Sequence, residues 1–163
     1  MDFELIESIS LQDAVGSSPD VLKFLHNTSS KAIAQKILKE GFMFEKYIEN
    51  STDLVSGIDN LELLNFERNR GCYGEYTIII QISLDIANHY LTKLKSPKYH
   101  FSEVLSKLLP QFNADNEPVY ILPEFFIKGY YKRHFFVKNP AFNPFFISDI
   151  FDKNLEFLLN SDY

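Results

Sequence analysis

Glycine and cysteine are scarce in this sequence, and tryptophan is missing. The six glycines in 163 residues form neither the G-x-G-x-x-G loop nor the G-x-x-x-x-G-K-[ST] loop that cradles nucleotide phosphates. The one cysteine, Cys72, cannot form an internal disulfide or a cysteine-cluster metal site. These absences exclude Rossmann and Walker nucleotide sites, an internal disulfide and a cysteine-cluster metal site.

Long apolar runs and a surplus of positive charge are also lacking. No stretch approaches the ~20 apolar residues of a membrane span, and the acidic start Met-Asp-Phe-Glu lacks the basic region of a signal peptide. The net charge of −6 argues against a non-specific nucleic-acid binder, which relies on a basic surface. We therefore expect a cytoplasmic protein that has no membrane partner and does not favour nucleic acid. Secretion without a cleaved signal stays open.

The sequence has the composition of one globular domain. Hydrophobic residues make up 45% and charged residues 23% of the chain, both ordinary values. A chain of this length matches the usual size of a single domain, here residues 1–163. Residues 1–20 are polar and rich in turn formers, which predicts an irregular N-terminal arm.

The first clear unit is a strand, a tight turn and a helix. Residues 21–26 are mostly apolar and predict a short strand. Asn-Thr-Ser-Ser follows at 27–30 and supplies candidate N-caps for a helix that ends at Glu40. Gly41 stands where such a helix stops. His26 therefore lies at the end of the strand, where the chain turns toward the helix.

Later strands and helices alternate irregularly, which predicts an α+β fold. Strands are predicted at 76–82, 117–122 and 135–137, and helices at 85–95, 101–109 and 147–159. The segments 113–116 and 139–144 predict a turn and an extended stretch.

Two strand ends carry the candidate chemistry. His26 closes one predicted strand and Glu117 opens another, and a strand end combines precise placement with solvent access. The four histidines do not occur at metal-ligand spacing, so we expect no metal site.

Two blocks of about 20 residues resemble the ADP-ribosyltransferase fold. Phe-Leu-His-Asn-Thr-Ser at 24–29, an amphipathic helix and Glu-Gly-Phe at 40–42 resemble the first motif of that family. Asn-Glu-Pro-Val-Tyr-Ile at 116–121, running on to Gly-Tyr-Tyr at 129–131, is similar to the last motif of the branch that includes diphtheria toxin and the poly(ADP-ribose) polymerases. The resemblance implies an α+β domain with a mixed or antiparallel split β-sheet core and flanking helices.

The resemblance implies NAD as the substrate and assigns roles to these residues. His26 would donate a hydrogen bond to a ribose hydroxyl of NAD, and Thr28 or Ser29 would help to bind a ribose or the adenosine. Glu117 would accept a hydrogen bond from the nicotinamide-ribose 2′-hydroxyl and face an oxocarbenium-like transition state. Asn27 stands where the family usually has a glycine whose backbone contacts the nicotinamide amide, so its side chain is expected to narrow that pocket.

The family's middle motif is a tyrosine that stacks on nicotinamide. Tyr73 and Tyr76 are the candidates, and Tyr73 is preferred because glycines flank it at positions 71 and 74. Arg70, or Arg68, would meet the pyrophosphate, since the chain has no glycine-rich phosphate loop.

Several alternatives stay open at this point. Glu124 is a second candidate for the catalytic carboxylate, although it follows a strand-breaking proline. The implied activity is transfer of a single ADP-ribose group to a macromolecular acceptor, most simply a protein, with release of nicotinamide; a glycohydrolase would use water instead. The different class is a non-catalytic α+β binding module whose C-terminal phenylalanines form a partner surface, at positions 135, 136, 142, 145, 146 and 151.

Overall fold

A computed structural model describes residues 5–44, 52–54, 74–85, 110–112, 114–116 and 118–145. The N-terminal elements are β1 (Leu5–Ser8), α1 (Leu11–Val15), β2 (Val21–Thr28), α2 (Lys31–Glu40), β3 (Phe42–Phe44) and β4 (Asp53–Leu54). They are followed by β5 (Tyr76–Ser83), β6 (Pro110–Phe112), β7 (Pro118–Leu122), a 3₁₀ turn (Glu124–Phe126), β8 (Ile127–Lys132) and β9 (Phe135–Lys138).

The described strands form two antiparallel sheets. The large sheet has the order β1-β9-β8-β5-β2-β4, and the small sheet has the order β3-β7-β6. Every pairing between described strands is antiparallel. The predicted α+β class is therefore confirmed. The helices predicted within 85–109 and 147–159 lie outside the described residues, except that Asp85 begins the first of them.

The predicted unit of strand, turn and helix is present. β2 pairs along its whole length with β5, and α2 begins directly after the turn. The Ser30 side chain accepts a hydrogen bond of 3.2 Å from the backbone N–H of Ile33, which makes it the N-cap of α2. Gly41 ends the helix with φ +94°, and its N–H donates to the carbonyl of Ile37.

Replacing Ser30 with alanine is expected to lower the free energy of unfolding by about 1 kcal/mol, the usual cost of losing an N-cap. The neighbouring Ser29 is exposed and does not cap the helix. Ser29→Ala should therefore stay within about 0.5 kcal/mol of the wild-type chain. Urea unfolding of both variants measures the difference, and equal losses would contradict the assignment of the cap.

The main core lies between the large sheet, α2 and the small sheet. Its buried side chains come from all three parts, including Phe24 of β2, Ile78 of β5, Ala34 of α2 and Phe42 of β3. Residues from both sheets therefore share one apolar interior, and α2 and β3 are held against the same face of the large sheet as Phe24.

The opposite face of the large sheet is covered by α1. Leu11, Ala14 and Val15 are buried there against Leu25 and its neighbours in the sheet. The irregular arm predicted for residues 1–20 is wrong for residues 5–15, which form β1 and α1. Apolar residues at i, i+3 and i+4 drive this short helix, and Ser10 caps it by accepting from the N–H of Asp13.

Candidate functional site

His26 lies near the end of β2, on the face that carries the main core. Side chains alternate between the two faces of a strand, so His26 faces the same side as the buried Phe24. Its half-buried imidazole contacts the ring of Phe42, with centroids 4.8 Å apart and planes inclined by 56°. The contact joins the end of β2 to the first residue of β3, so His26 lies where the two sheets meet.

Asn27 points to the other face of the large sheet. Its side-chain carbonyl accepts a 2.7 Å hydrogen bond from the hydroxyl of the buried Thr77, on the neighbouring strand β5. The side chain at this position therefore does not lie on the face that His26 occupies. The expectation that Asn27 narrows a pocket on the His26 side is wrong, because the alternation of the strand directs its amide away from that side.

Thr28 is the last residue of β2, and Ser29 begins the turn between β2 and α2. The Thr28 hydroxyl accepts from the N–H of Ser30 at 3.3 Å, which leaves its own O–H able to donate. Ser29 is exposed. Both hydroxyls therefore lie within three residues of His26, at the same end of β2.

Gly74 brings the chain before β5 against this turn. It has φ +124°, and a Cβ added to it would lie 2.4 Å from the carbonyl carbon of Thr28 and 2.7 Å from the backbone nitrogen of Ser29. Only a glycine allows an approach this close in such a conformation. Tyr73 precedes Gly74 in the sequence and lies outside the described residues, as do Arg68, Arg70 and Cys72.

The small sheet carries the strand that follows Glu117. β3 pairs with β7, with Phe42 opposite Leu122 and Phe44 opposite Tyr120. The preceding turn at 114–116 is exposed and ends with Asn116 at φ +60°. Glu117 falls between this turn and Pro118, the first residue of β7, and lies outside the described residues. The strand that Glu117 precedes is thus the direct neighbour of the strand that contacts His26.

Glu124 has a different setting. It begins the 3₁₀ turn after β7, and its backbone carbonyl accepts a 2.9 Å hydrogen bond from the amide of Asn139. It lines a cavity of about 950 Å³ beside α2, whose described lining includes Lys31 and Lys39. His26, Asn27, Thr28 and Ser29 are not among the described residues that line it.

Tyr76, the second candidate for stacking on nicotinamide, makes a polar contact with Lys132. It lies opposite Thr28 in the register of β2 and β5 and is half-buried. Its hydroxyl accepts a 3.1 Å hydrogen bond from the ammonium of Lys132, which also lies 4.6 Å from the centre of the ring. The pairing of β5 with β8 creates this contact, and 56 positions separate the two residues in the sequence.

The same contact changes the chemistry of Lys132. The hydrogen bond to Tyr76, followed by the hydrogen bond and charge of Glu75, raises the pKa of Lys132 above its ordinary value. Lys132 therefore carries a positive charge throughout the physiological range. It cannot supply a neutral amine as a general base.

The four C-terminal phenylalanines that the structure describes differ in exposure. Phe136 is buried and Phe142 is half-buried, whereas Phe135 and Phe145 are exposed. Phe146 and Phe151 lie outside the described residues.

Among the described side chains, no group of three His, Cys, Asp or Glu could hold a metal ion. In the same part of the chain, no helix is long and apolar enough to cross a bilayer.

Comparison with known proteins gives no match. No family model, no curated protein and no solved structure is detectably similar to this chain.

Proposed function

We propose that this chain is an NAD-dependent mono-ADP-ribosyltransferase, which transfers ADP-ribose to a macromolecular acceptor, most simply a protein, and releases nicotinamide. Transfer to water, as in an NAD glycohydrolase, is the close variant of the same chemistry. NAD is the substrate, and the proposed site draws on His26, Thr28, Ser29, Tyr73 and Glu117. Asn27 follows His26 in the sequence, and Arg70 lies close to Tyr73 in the sequence. Arg70 would bind the pyrophosphate of NAD.

The observation that carries the proposal is that β5 and the small-sheet strand β7 both adjoin the unit of strand, turn and helix that holds His26, with Phe42 opposite Leu122, at the end of β7 away from Pro118. His26 contacts Phe42 of β3, and β3 pairs with the strand that Glu117 precedes. Gly74, next to Tyr73 in the sequence, lies against Thr28 and Ser29. The segments that contain His26 and Glu117 are the two that carry the ADP-ribosyltransferase resemblance in the sequence, and the segment that contains Tyr73 is the candidate for the family's middle motif.

The finding for Asn27 supports the same site. The family's glycine at this position leaves room for the nicotinamide amide beside the backbone. Here the Asn27 side chain is held by Thr77 on the other face of the sheet, so a residue larger than glycine does not fill the His26 side. The departure of this chain from the family's glycine is therefore compatible with NAD binding.

The chemistry needs few groups. The bond between C1′ of the ribose and N1 of nicotinamide breaks, and its electron pair neutralises the pyridinium, so nicotinamide leaves without being protonated. Positive charge develops on the ribose, and a carboxylate stabilises it, as carboxylates do in glycosidases. Glu117 would supply this charge, while His26 would hold a ribose hydroxyl. The nucleophile of the acceptor then adds to C1′ and loses its proton.

Binding of NAD tests the proposal before any turnover is measured. At an NAD concentration about 100 times Kd, binding stabilises the fold by about 2.7 kcal/mol, which corresponds to a Tm increase of about 5–11 °C for a chain of this size. We expect this increase for the wild-type chain and a much smaller one for His26→Ala at the same concentration. No increase at millimolar NAD, or an equal increase in both proteins, would contradict the proposal.

A non-catalytic binding module is the second candidate, and the exposure of Phe135 and Phe145 favours it. Their side chains are 55% and 59% exposed, which is high for phenylalanine. Such a module would give neither an NAD-dependent increase in Tm nor release of nicotinamide, so the same melting experiment separates the two candidates.

A further inference from the structure

A groove runs between α2 and the edge of the large sheet formed by β1 and β9. It consists of two cavities of about 950 and 490 Å³ that have four described lining residues in common: Ile6, Lys31, Tyr130 and Val137. We call it the α2–β1 groove. His26, Asn27, Thr28 and Ser29 are not among its described lining residues, whereas Tyr76 lines the smaller cavity and Glu124 the larger one.

The floor of the groove is apolar and open to solvent. Leu5, Ile6 and Phe135 line it and are 51%, 55% and 55% exposed. Tyr130 and Val137 continue the floor beneath them and are themselves buried. In the register of β1 and β9, Ile6 lies opposite Val137 and Ser8 opposite Phe135, so Ile6 and Phe135 share one face of the sheet, and an exposed apolar patch on such a face marks an interaction surface.

The rim of the groove is cationic on a protein that is acidic overall. The described lining contains five cations and one acid, in a chain of net charge −6. The cations are Lys31, Lys39, Lys132, Arg133 and Lys138, and the acid is Glu124.

Part of this positive charge already has acidic partners. Glu75 pairs with Lys132 at 3.0 Å and with Arg133 at 3.4 Å, and Glu7 pairs with Lys138. These pairs are partly or largely exposed, so each contributes little to stability and can exchange one carboxylate for another. A ligand with several carboxylates can therefore take over these cations.

The neighbouring strand offers backbone hydrogen bonds as well. β1 is the outer strand of the large sheet among the described strands, and it pairs with β9 on one side. All four of its residues are exposed. An extended peptide can pair with such an edge while its side chains enter the adjoining groove.

We propose that the α2–β1 groove binds an acidic polypeptide segment with apolar side chains, supplied by a partner protein. The exposed apolar floor accommodates its apolar residues, the rim holds its carboxylates, and β1 pairs with its backbone. A nucleic acid fits less well, because it has no aliphatic side chains to cover the exposed Leu5 and Ile6. This proposal does not depend on the ADP-ribosyltransferase activity.

The test measures binding of a fluorescein-labelled peptide that alternates Glu or Asp with Leu, Ile or Phe over ten residues. Two comparison ligands are measured in the same way: the same peptide with Lys in place of each acidic residue, and a single strand of ten uridine nucleotides. We expect saturable binding of the acidic peptide alone, weakening as salt is raised. Lys31→Glu should weaken binding of the acidic peptide about tenfold or more, because the substitution replaces an attraction with a repulsion. Lys31 is the charged residue among the four described residues that line both cavities.

Lys36→Glu is the matched control, because Lys36 lies on the same helix, is 71% exposed and does not line the groove. It should change binding less than about twofold. Ile6→Ser, which removes apolar floor without a change of charge, should also weaken binding. Lys31→Glu places an acidic side chain in the first turn of α2, where it interacts favourably with the helix dipole. The variant should therefore stay folded, and weaker peptide binding would not result from unfolding.

The proposal is overturned if the acidic peptide does not saturate, if the basic peptide binds as well, or if the uridine strand binds more tightly. It is equally overturned if Lys31→Glu leaves binding unchanged or if Lys36→Glu weakens it by the same factor.

Discussion

Replacement of Glu117 with glutamine slows the release of nicotinamide from NAD by about 10²-fold or more, if this carboxylate stabilises the transition state as we propose. Glutamine keeps the size of the side chain and its ability to accept a hydrogen bond from the 2′-hydroxyl. It removes the negative charge that faces the developing oxocarbenium ion. Binding of NAD should therefore be largely retained while kcat falls, because the lost interaction is strongest in the transition state.

The matched control is Glu124→Gln, the other carboxylate that the sequence left open. Glu124 lines the α2–β1 groove, and His26 is not among the described residues of that lining, so its substitution should leave turnover within about twofold. Chromatographic detection of nicotinamide measures both rates. Unchanged turnover in Glu117→Gln together with a large loss in Glu124→Gln would move the catalytic role to Glu124. Unchanged turnover in both would remove the carboxylate mechanism.

Gly74→Ala is expected to damage both the fold and the site. The added Cβ would lie 2.4 Å from the Thr28 carbonyl carbon and 2.7 Å from its oxygen, and both neighbours are backbone atoms that cannot move aside independently. A residue with a side chain is also strained at φ +124°. We expect a loss of about 2–4 kcal/mol in the free energy of unfolding from strain and overpacking together. NAD turnover should fall about 10²-fold, since a shift of about 1 Å in a positioned group has that effect.

Gly16→Ala is the control that separates backbone strain from the steric contact between residue 74 and Thr28. Gly16 also has a positive φ of +78°, but the nearest atom to an added Cβ there is the Lys128 ammonium at 3.7 Å. This variant should lose about 1–2 kcal/mol through backbone strain alone and keep its NAD turnover. Urea unfolding and nicotinamide release measured on both variants give the comparison. Gly74→Ala with the stability and turnover of Gly16→Ala would mean that the approach to Thr28 does not shape the site.

The local elements of the fold are readable where one short segment contains its own start and stop signals. The apolar residues at 21–26 predict β2, and the candidate caps at 27–30 together with Gly41 predict α2; the structure identifies Ser30 as the cap among the four candidates and confirms that Gly41 ends the helix. α1 was missed although Ser10 and the spacing of Leu11, Ala14 and Val15 are its signals, since a helix of five residues gives too short a pattern to stand out from a polar arm.

The turn between β8 and β9 had no readable signal. Arg133 and His134 connect the strands with φ +47° and +70°. Two-residue hairpin turns of this kind usually contain Asn-Gly or Asp-Gly. Here the turn also has a tertiary contact, a hydrogen bond of 2.9 Å from the N–H of Ile9 to the carbonyl of His134. Non-local contacts of this type cannot be inferred from the spacing of residues.

In the candidate site, too, some features follow from local sequence and others depend on tertiary packing. His26, Thr28 and Ser29 could be placed at a strand end from local sequence. The contact of Phe42 with His26 depends on how the two sheets pack, and the approach of Gly74 to Thr28 depends on the pairing of β2 with β5. From the sequence, Gly74 is expected to leave space for the ring of Tyr73. In the structure, the absence of a Cβ at Gly74 instead allows its own backbone to lie against the backbone of Thr28.

The most direct test of the central claim is the NMR spectrum of the histidine rings when NAD is added to the Glu117→Gln variant, which should hold NAD without cleaving it. The chain has four histidines, so their ring signals can be resolved and assigned by substitution. We expect the chemical shifts of the His26 ring protons to change on saturation with NAD. The chemical shifts of His134, which is exposed in the turn between β8 and β9, should not change. Saturable NAD binding with an unmoved His26 signal would contradict the account.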